Sequence, residues 1–140
     1  MTDNLFEKRQ PVILRVDDDE HISYLLDFLL ERQGYQVVSA KDGQEFLDII
    51  KMQKGADLIM LDIMLPFMDG YEIMRQIRAL PVWKNTPIIA LSSLKKDKDI
   101  VRAFNAGASD YVTKPFQPLE LMVRVDRLLR QQNNVASSSI

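Results

Sequence analysis

Five short apolar runs alternate strictly with longer amphipathic segments along this chain of 140 residues. The runs span residues 12–16, 35–40, 58–61, 88–91 and 111–113. After each run, apolar side chains recur at the spacing of a helix face, and the first four of these segments end at Gly34, Gly55, Pro81 and Gly107. Strict alternation of strands and helices predicts an α/β domain whose parallel sheet is covered on both faces.

Charge and composition narrow the classes of function. The net charge is −2, whereas contact with nucleic-acid phosphates needs a basic face, so we expect no direct nucleic acid binding by this domain. The chain has no cysteine, which excludes disulfides and thiolate metal sites and fits a cytoplasmic location. We see no signal peptide and no apolar run long enough to span a bilayer, so no membrane association is expected.

The predicted elements all fall within residues 11–130, which suit one domain with one core. Residues 1–10 are charged and are expected to be an N-terminal extension. Residues 131–140 are polar and aperiodic, and are expected to be a C-terminal tail or linker.

Polar side chains directly follow four of the five predicted strands. In parallel sheets of this kind, ligands bind beyond the carboxyl ends of the strands. Neighbouring strands lie about 4.8 Å apart, so side chains at this edge can converge. They are Asp17, Asp18, Asp19 and Glu20 after the first strand, Asp62 after the third, Ser92 and Ser93 after the fourth, and Lys114 after the fifth.

Together, these groups supply metal ligands, a nucleophile and phosphate-binding side chains, which is what phosphoryl transfer needs. Clustered carboxylates hold Mg2+ well, and Asp62, expected to be exposed at the edge, is a candidate nucleophile. Lys114 and Ser92 would contact phosphate oxygens. Alone, each residue has a commoner interpretation as a turn residue, a helix cap or a solvated surface group. Their joint occurrence after four strands favours the functional interpretation.

The motifs around these residues closely resemble the receiver domains of two-component response regulators, from about residue 11 to residue 130. The resemblance implies a flavodoxin-like, doubly wound, five-stranded parallel sheet of order 2-1-3-4-5 with five helices. The matching motifs are Val16-Asp17-Asp18-Asp19, Leu61-Asp62-Ile63-Met64-Leu65-Pro66, Met68-Asp69-Gly70, Ala90-Leu91-Ser92-Ser93, Gly107-Ala108 and Lys114-Pro115-Phe116.

The resemblance also implies a role for each residue of the predicted site. Asp62 accepts a phosphoryl group from a sensor histidine kinase or phosphotransfer protein. Asp18 and Asp62 bind Mg2+ through their side chains, Asp17 acts mainly through water, and Met64 contributes its backbone carbonyl. Lys114 binds a phosphoryl oxygen. Such a domain is a phosphoacceptor that dephosphorylates slowly, and not an enzyme in the usual sense.

A switch is implied as well. Ser92 binds a second phosphoryl oxygen and moves together with Tyr111 on activation, which alters an output surface around the fourth helix, fifth strand and fifth helix. Without the family, a half-buried strand aromatic would be an equally good interpretation of Tyr111. An output domain or effector protein would bind that surface, and the sequence identifies neither it nor the kinase.

Arg15 departs from the family, which usually has an aliphatic residue at this point of the first strand. Its stem packs while the charge reaches the sheet edge, or it pairs with an acid that the sequence does not identify. If the charge is buried and unpaired, Arg15→Val should stabilise the domain by about 1–3 kcal/mol.

The last helix resembles that of winged-helix transcription factors that dimerise through the fourth helix, fifth strand and fifth helix. Asp110 and Arg124 match one of their intersubunit ion pairs. Ile100 and Asn105 stand where other such pairs need charged residues. A homodimer is therefore left open.

Three rival functions were compared with the receiver hypothesis. An acid phosphatase with an aspartyl nucleophile needs a second Asp where this chain has Met64. A flavodoxin needs a hydroxyl-rich phosphate loop where this chain has acidic residues. A degenerate module that is not phosphorylated stays open, although the intact set of Asp62, Ser92 and Lys114 disfavours it.

Overall fold

The computed structural model describes the backbone of residues 10–138 and the side chains of residues 10–132. Five parallel strands form one sheet in the order β2-β1-β3-β4-β5, which confirms the predicted flavodoxin-like architecture. The strands are β1 (Val12–Val16), β2 (Gln36–Ala40), β3 (Leu58–Asp62), β4 (Ile88–Ser92) and β5 (Asp110–Thr113).

Five helices connect and follow the strands, as predicted. The first three begin at aspartate caps, because the side chains of Asp19, Asp42 and Asp69 accept backbone N–H groups of the first turn. The helices are α1 (Glu20–Arg32), α2 (Gly43–Met52), α3 (Gly70–Ala79), α4 (Asp97–Ala106) and α5 (Pro118–Ser138).

The core lies in two layers, one on each face of the sheet. Leu14 and Ile59 pack toward α2, α3 and α4, whereas Ile13 and Met60, their neighbours in β1 and β3, pack toward α1 and α5. Successive strand side chains point to opposite faces, so a strand buried on both sides is apolar along most of its length. That is why β3 and β4 read as continuous apolar runs.

The expected C-terminal tail is helical over most of its length. The backbone of α5 continues through Ser138, so residues 131–138 are helical, and their role as a tail or linker stays a prediction. Neither Gly nor Pro occurs between Gln131 and Ser138, and without either residue a helix already begun can propagate. Residues 1–9 of the expected N-terminal extension lie outside the described residues.

The amino edge of the sheet is closed by a segment that was not predicted. A short 3-10 helix, Pro81–Trp83, precedes β4, and Trp83 is buried with its Nε1 donating to the Ile50 carbonyl at 3.0 Å. Arg78, at the end of α3, binds this edge through its guanidinium, which donates to the carbonyl oxygens of Trp83, Lys84, Thr86 and Gly107.

Arg15 is buried and paired. It is only 4% exposed, and its Nε and Nη2 donate to the two carboxylate oxygens of Asp27 at 2.6 and 2.8 Å. The acid that the sequence did not identify is therefore Asp27, on α1. The condition under which Arg15→Val would stabilise the domain, a buried and unpaired charge, is not met.

Arg15→Val is instead expected to destabilise the domain. Removing one partner of a buried pair leaves an uncompensated charge, which typically costs about 3–5 kcal/mol. The Asp27 side chain keeps 31% of its surface exposed, so water would solvate it in part and we expect a loss of about 2 kcal/mol. Urea denaturation would measure the free energy of unfolding, with Asp27→Leu added in a second variant to remove the orphaned charge. Greater stability in the single variant would contradict the expectation.

Candidate functional site

The carboxyl edge of the sheet brings together the polar side chains expected there. Asp17 and Asp18 follow β1, Asp62 ends β3, Ser92 ends β4 and Lys114 follows β5. The register carries them to the same level, since Asp62 pairs with Leu91, the residue before Ser92. The backbone N–H of Lys114 donates to the Ser92 carbonyl at 2.8 Å.

Three carboxylates form a compact cluster at this edge. One ligand oxygen each from Asp17, Asp18 and Asp62 lies within 4.8 Å of the others. Asp18 is exposed, whereas the side chains of Asp17 and Asp62 are 1% and 5% exposed. The expectation that the Asp62 carboxylate is exposed was wrong, because the residue still belongs to β3, a strand buried along its whole length.

Lys114 bridges two of the carboxylates. Its Nζ donates to Asp17 Oδ2 at 2.8 Å and to Asp62 Oδ2 at 3.1 Å. Burial lowers the pKa of Lys114, but the hydrogen bonds and charges of Asp17 and Asp62 outweigh burial and leave that pKa raised. Burial also raises the pKa of Asp62, opposed in part by the Met64 N–H, which donates at 2.9 Å, and by the charge of Lys114.

The cluster fits a hard divalent cation. Three carboxylates against one ammonium leave an excess of two negative charges, which Mg2+ would neutralise. Mg2+ prefers oxygen ligands, takes one or two carboxylates and keeps several waters. Asp18 faces solvent, so those waters have access. The peptide of Met64 borders the cluster through its bond to Asp62.

Ser92 and Tyr111 are joined through one residue, Leu94. The buried Ser92 Oγ accepts the Leu94 N–H at 3.0 Å, and the Tyr111 hydroxyl donates to the Leu94 carbonyl at 2.7 Å. The Tyr111 ring is buried, more deeply than the half-buried strand aromatic that was the alternative interpretation. Ser92 and Tyr111 are thus linked through the backbone of a single residue, Leu94.

The loop after Asp62 folds back on itself, a feature that the residue pattern does not predict. Met64–Leu65 pairs antiparallel with Met68–Asp69, and Phe67 in the turn has a φ of 66°. Gly70 follows so closely that a Cβ there would lie 2.5 Å from the backbone of Ile63. This close contact requires glycine and explains the Asp69-Gly70 motif physically.

The face formed by α4, β5 and α5 carries a cavity of about 370 Å³ bordered by Tyr111, Phe104 and Arg124. Asp110 accepts two bonds from Arg124 Nη1, at 2.9 and 3.1 Å, within this one chain. Asp110 and Arg124, which match an intersubunit ion pair of the winged-helix subfamily, therefore form an ion pair within one chain here.

Fold and site together define a doubly wound α/β domain with an acidic cluster at the carboxyl edge of its sheet. The family model for the response regulator receiver domain matches residues 13–126, so the chain belongs to the response regulator receiver domain family. Relatives include the alkaline phosphatase synthesis transcriptional regulatory protein PhoP of Bacillus subtilis, 44% identical over 127 residues, 91% of this chain and 52% of that protein. The transcriptional regulatory protein ResD of Bacillus subtilis is 41% identical over 124 residues, 89% of this chain and 50% of that protein.

Solved structures agree with this assignment. A two-component response regulator from Clostridium difficile has a TM-score of 0.82 at 32% identity, covering 89% of this chain and 99% of its own. The receiver domain of a Pseudomonas aeruginosa sensor histidine kinase has a TM-score of 0.78 at 32% identity, covering 86% of this chain and 98% of its own, with a magnesium ion coordinated in its active site cleft.

The chain spans about half the length of the curated relatives that it matches. Among the described residues, no helix combines the length and the apolar character needed to cross a membrane.

Proposed function

We propose that this receiver domain accepts a phosphoryl group on Asp62 from a histidine kinase or phosphotransfer protein, in a reaction that depends on Mg2+. The observation that carries the proposal is the Asp62 carboxylate, which lies within 4.8 Å of the ligand oxygens of Asp17 and Asp18 and 3.1 Å from Lys114 Nζ. A nucleophile, metal ligands and a cation for the incoming phosphoryl group thus converge.

In the proposed transfer, a carboxylate oxygen of Asp62 attacks phosphorus and the P–N bond of the donor phosphohistidine breaks. The electron pair of that bond stays on the imidazole nitrogen, and Asp62 becomes an acyl phosphate. Bound Mg2+ would shield the charges of the carboxylates and the phosphoryl oxygens. Asp18 and Asp62 would hold the ion directly, Asp17 through water, and Met64 through its carbonyl. Lys114 Nζ exchanges its contact with Asp62 for a phosphoryl oxygen.

The same event would operate the switch. The Ser92 hydroxyl turns to donate to a phosphoryl oxygen and weakens its bond to the Leu94 N–H. Because Tyr111 is held by the Leu94 carbonyl, a shift of Leu94 would change the position of the Tyr111 ring beside the cavity on the face of α4, β5 and α5. That face is the proposed output surface.

The relatives support a proposal for the output partner. They are transcriptional regulatory proteins, and the matched residues cover only about half of each one, which supports an output domain or separate effector as the partner of this surface. We propose that the domain acts as a signalling element and not as an enzyme that turns over a substrate. A homodimer through the same face stays a prediction.

Labelling with acetyl phosphate tests the proposal. Intact mass should rise by one phosphoryl group in the presence of Mg2+ and stay unchanged with EDTA, and peptide mapping should locate the group at Asp62. A domain that stays unlabelled with Mg2+ would be a degenerate interaction module, and the proposal would fail.

Magnesium is expected to stabilise the folded domain. A ligand that binds only the folded state raises the free energy of unfolding by about 2.7 kcal/mol at a hundredfold its Kd. Asp18→Asn removes the exposed carboxylate of the cluster and should lose most of this gain. Thermal melts with and without Mg2+ would measure it, with Asp48→Asn on the exposed side of α2 as the matched control. Equal responses of wild type and Asp18→Asn would place the metal elsewhere.

A further inference from the structure

A network of polar side chains lies directly beneath the acidic edge, between β1 and α1. The Arg15 guanidinium uses three of its nitrogens there. Nε and Nη2 bind the Asp27 carboxylate in bidentate fashion, and Nη1 donates to Ser23 Oγ at 3.0 Å. Ser23 and Asp27 are four residues apart and thus share one face of α1. The network locks this face of the helix to β1.

The network reaches the acidic cluster through Ser23. A serine hydroxyl has one proton and two acceptor positions, and Ser23 Oγ, which accepts from Arg15, lies 3.3 Å from the Asp17 carbonyl, to which it donates. The Asp17 carboxylate is held separately, by the Asp19 N–H at 2.8 Å and by Lys114 Nζ at 2.8 Å. Both the backbone and the side chain of Asp17 are therefore fixed.

The charge of Arg15 is neutralised where it would otherwise oppose a metal. Arg15 and Asp17 line one cavity of about 390 Å³, together with Asp18 and Ser39. An unpaired guanidinium there would repel a divalent cation or attract the carboxylates away from it. The bidentate bond to Asp27 turns the Arg15 guanidinium toward α1. Only a neutral Arg15–Asp27 pair then lies beneath the carboxylate cluster.

We propose that Arg15, Asp27 and Ser23 form a positioning triad that holds the loop of Asp17 and Asp18 in the geometry that binds Mg2+. This inference rests on the proposed function, since it concerns the same metal. None of the three residues touches the ion. They act through the Asp17 backbone, as outer groups commonly do at metal sites.

Ser23→Ala tests the triad with the smallest change, because it removes the hydroxyl that joins Arg15 to Asp17 and leaves the Arg15–Asp27 pair intact. Isothermal titration should show Mg2+ binding weakened on the order of tenfold, as for other outer-group changes. Ser23→Thr, which keeps the hydroxyl, should bind as wild type does. Ser39→Ala, which removes a hydroxyl from the same cavity without touching Asp17, should also bind normally.

A second variant separates positioning from stability. Arg15→Met with Asp27→Leu replaces the pair by apolar side chains of similar size, a change that is often neutral or stabilising. We expect a folded domain that nevertheless binds Mg2+ more weakly, because Ser23 has lost its donor. In the metal-free protein, the amide of Asp19 should exchange its hydrogen faster in both variants than in wild type.

The outcomes distinguish the inference from the proposed function. Variants that match the wild-type Kd and exchange rate would overturn the triad while leaving the Mg2+ site in place. A wild type that binds no Mg2+ would overturn the proposed function, and the triad with it.

Discussion

Asp62→Asn is expected to abolish phosphorylation by acetyl phosphate or a phosphorylated kinase while preserving the fold. The amide has no nucleophilic carboxylate oxygen, and within the cluster only Asp62 both accepts from Lys114 and pairs in the sheet with the residue before Ser92. Asp69→Asn is the matched control, since it changes an acid of the same loop and Asn caps α3 as well as Asp does. Phosphate that persists at this loop in Asp62→Asn would refute the assignment of the acceptor.

The same substitution should leave stability unchanged or raise it. Burial holds the pKa of Asp62 above its ordinary value, so the folded state binds a proton more tightly than the unfolded state does. The ionised carboxylate therefore costs stability above that raised pKa, and the cost vanishes as the pH falls below the ordinary value. Urea denaturation should show any advantage of Asn at neutral pH and its disappearance in acid. A large loss at neutral pH would mean that the bond to Lys114 outweighs burial.

Phosphorylated Asp62 is expected to be long-lived, because Met64 and Leu94, the residues two after Asp62 and two after Ser92, have apolar side chains. Met64 is half exposed beside Asp62, with Ser93 Oγ 3.6 Å from its sulfur, and the partly buried Leu94 follows Ser92. Neither side chain can orient or deprotonate water. Such help is typically worth about a hundredfold or more in rate, so Met64→Asn and Leu94→Glu should accelerate hydrolysis by up to about that factor.

The measurement is a decay time course of the purified phosphorylated domain with Mg2+ present and the phosphodonor removed. Met64→Leu is the control, because it keeps an apolar side chain of similar size and should decay as slowly as wild type. If wild type decays as fast as the polar variants, another group guides the water. A slow decay suits gene regulation or control of an output enzyme better than rapid motor switching.

The sequence was sufficient to predict the layers and the site because both depend on local pattern. A continuous apolar run such as residues 88–91 is typical of a strand that is buried on both faces in the middle of a parallel sheet. Once the order of strands is known, the residue after each strand falls on a known edge. That is why Asp62, Ser92 and Lys114 could be predicted to lie together without coordinates.

Contacts between distant elements could not be predicted in the same way. The residues next to Asp27 in the sequence do not indicate that it pairs with Arg15. A weaker signal was present, because Ser23 and Asp27 are polar residues on one face of α1 and Arg15 is a charged residue in a strand. The predicted third strand ends at residue 61, whereas β3 includes Asp62. This difference of one residue decides whether the Asp62 side chain is exposed or buried. The segment around Trp83 and Arg78 is held by carbonyl groups, which every residue has and no sequence pattern distinguishes.

The position of Trp83 has a practical optical consequence. It is the single tryptophan of the chain, and it is buried at the amino edge of the sheet, with Ile50 and the residues around Arg78, whereas the acidic cluster lies at the opposite edge. Indole emission depends on its immediate surroundings. The intensity and wavelength of tryptophan emission from this domain should therefore report whether its core is intact. Ions or phosphate at Asp62 should not quench that emission directly.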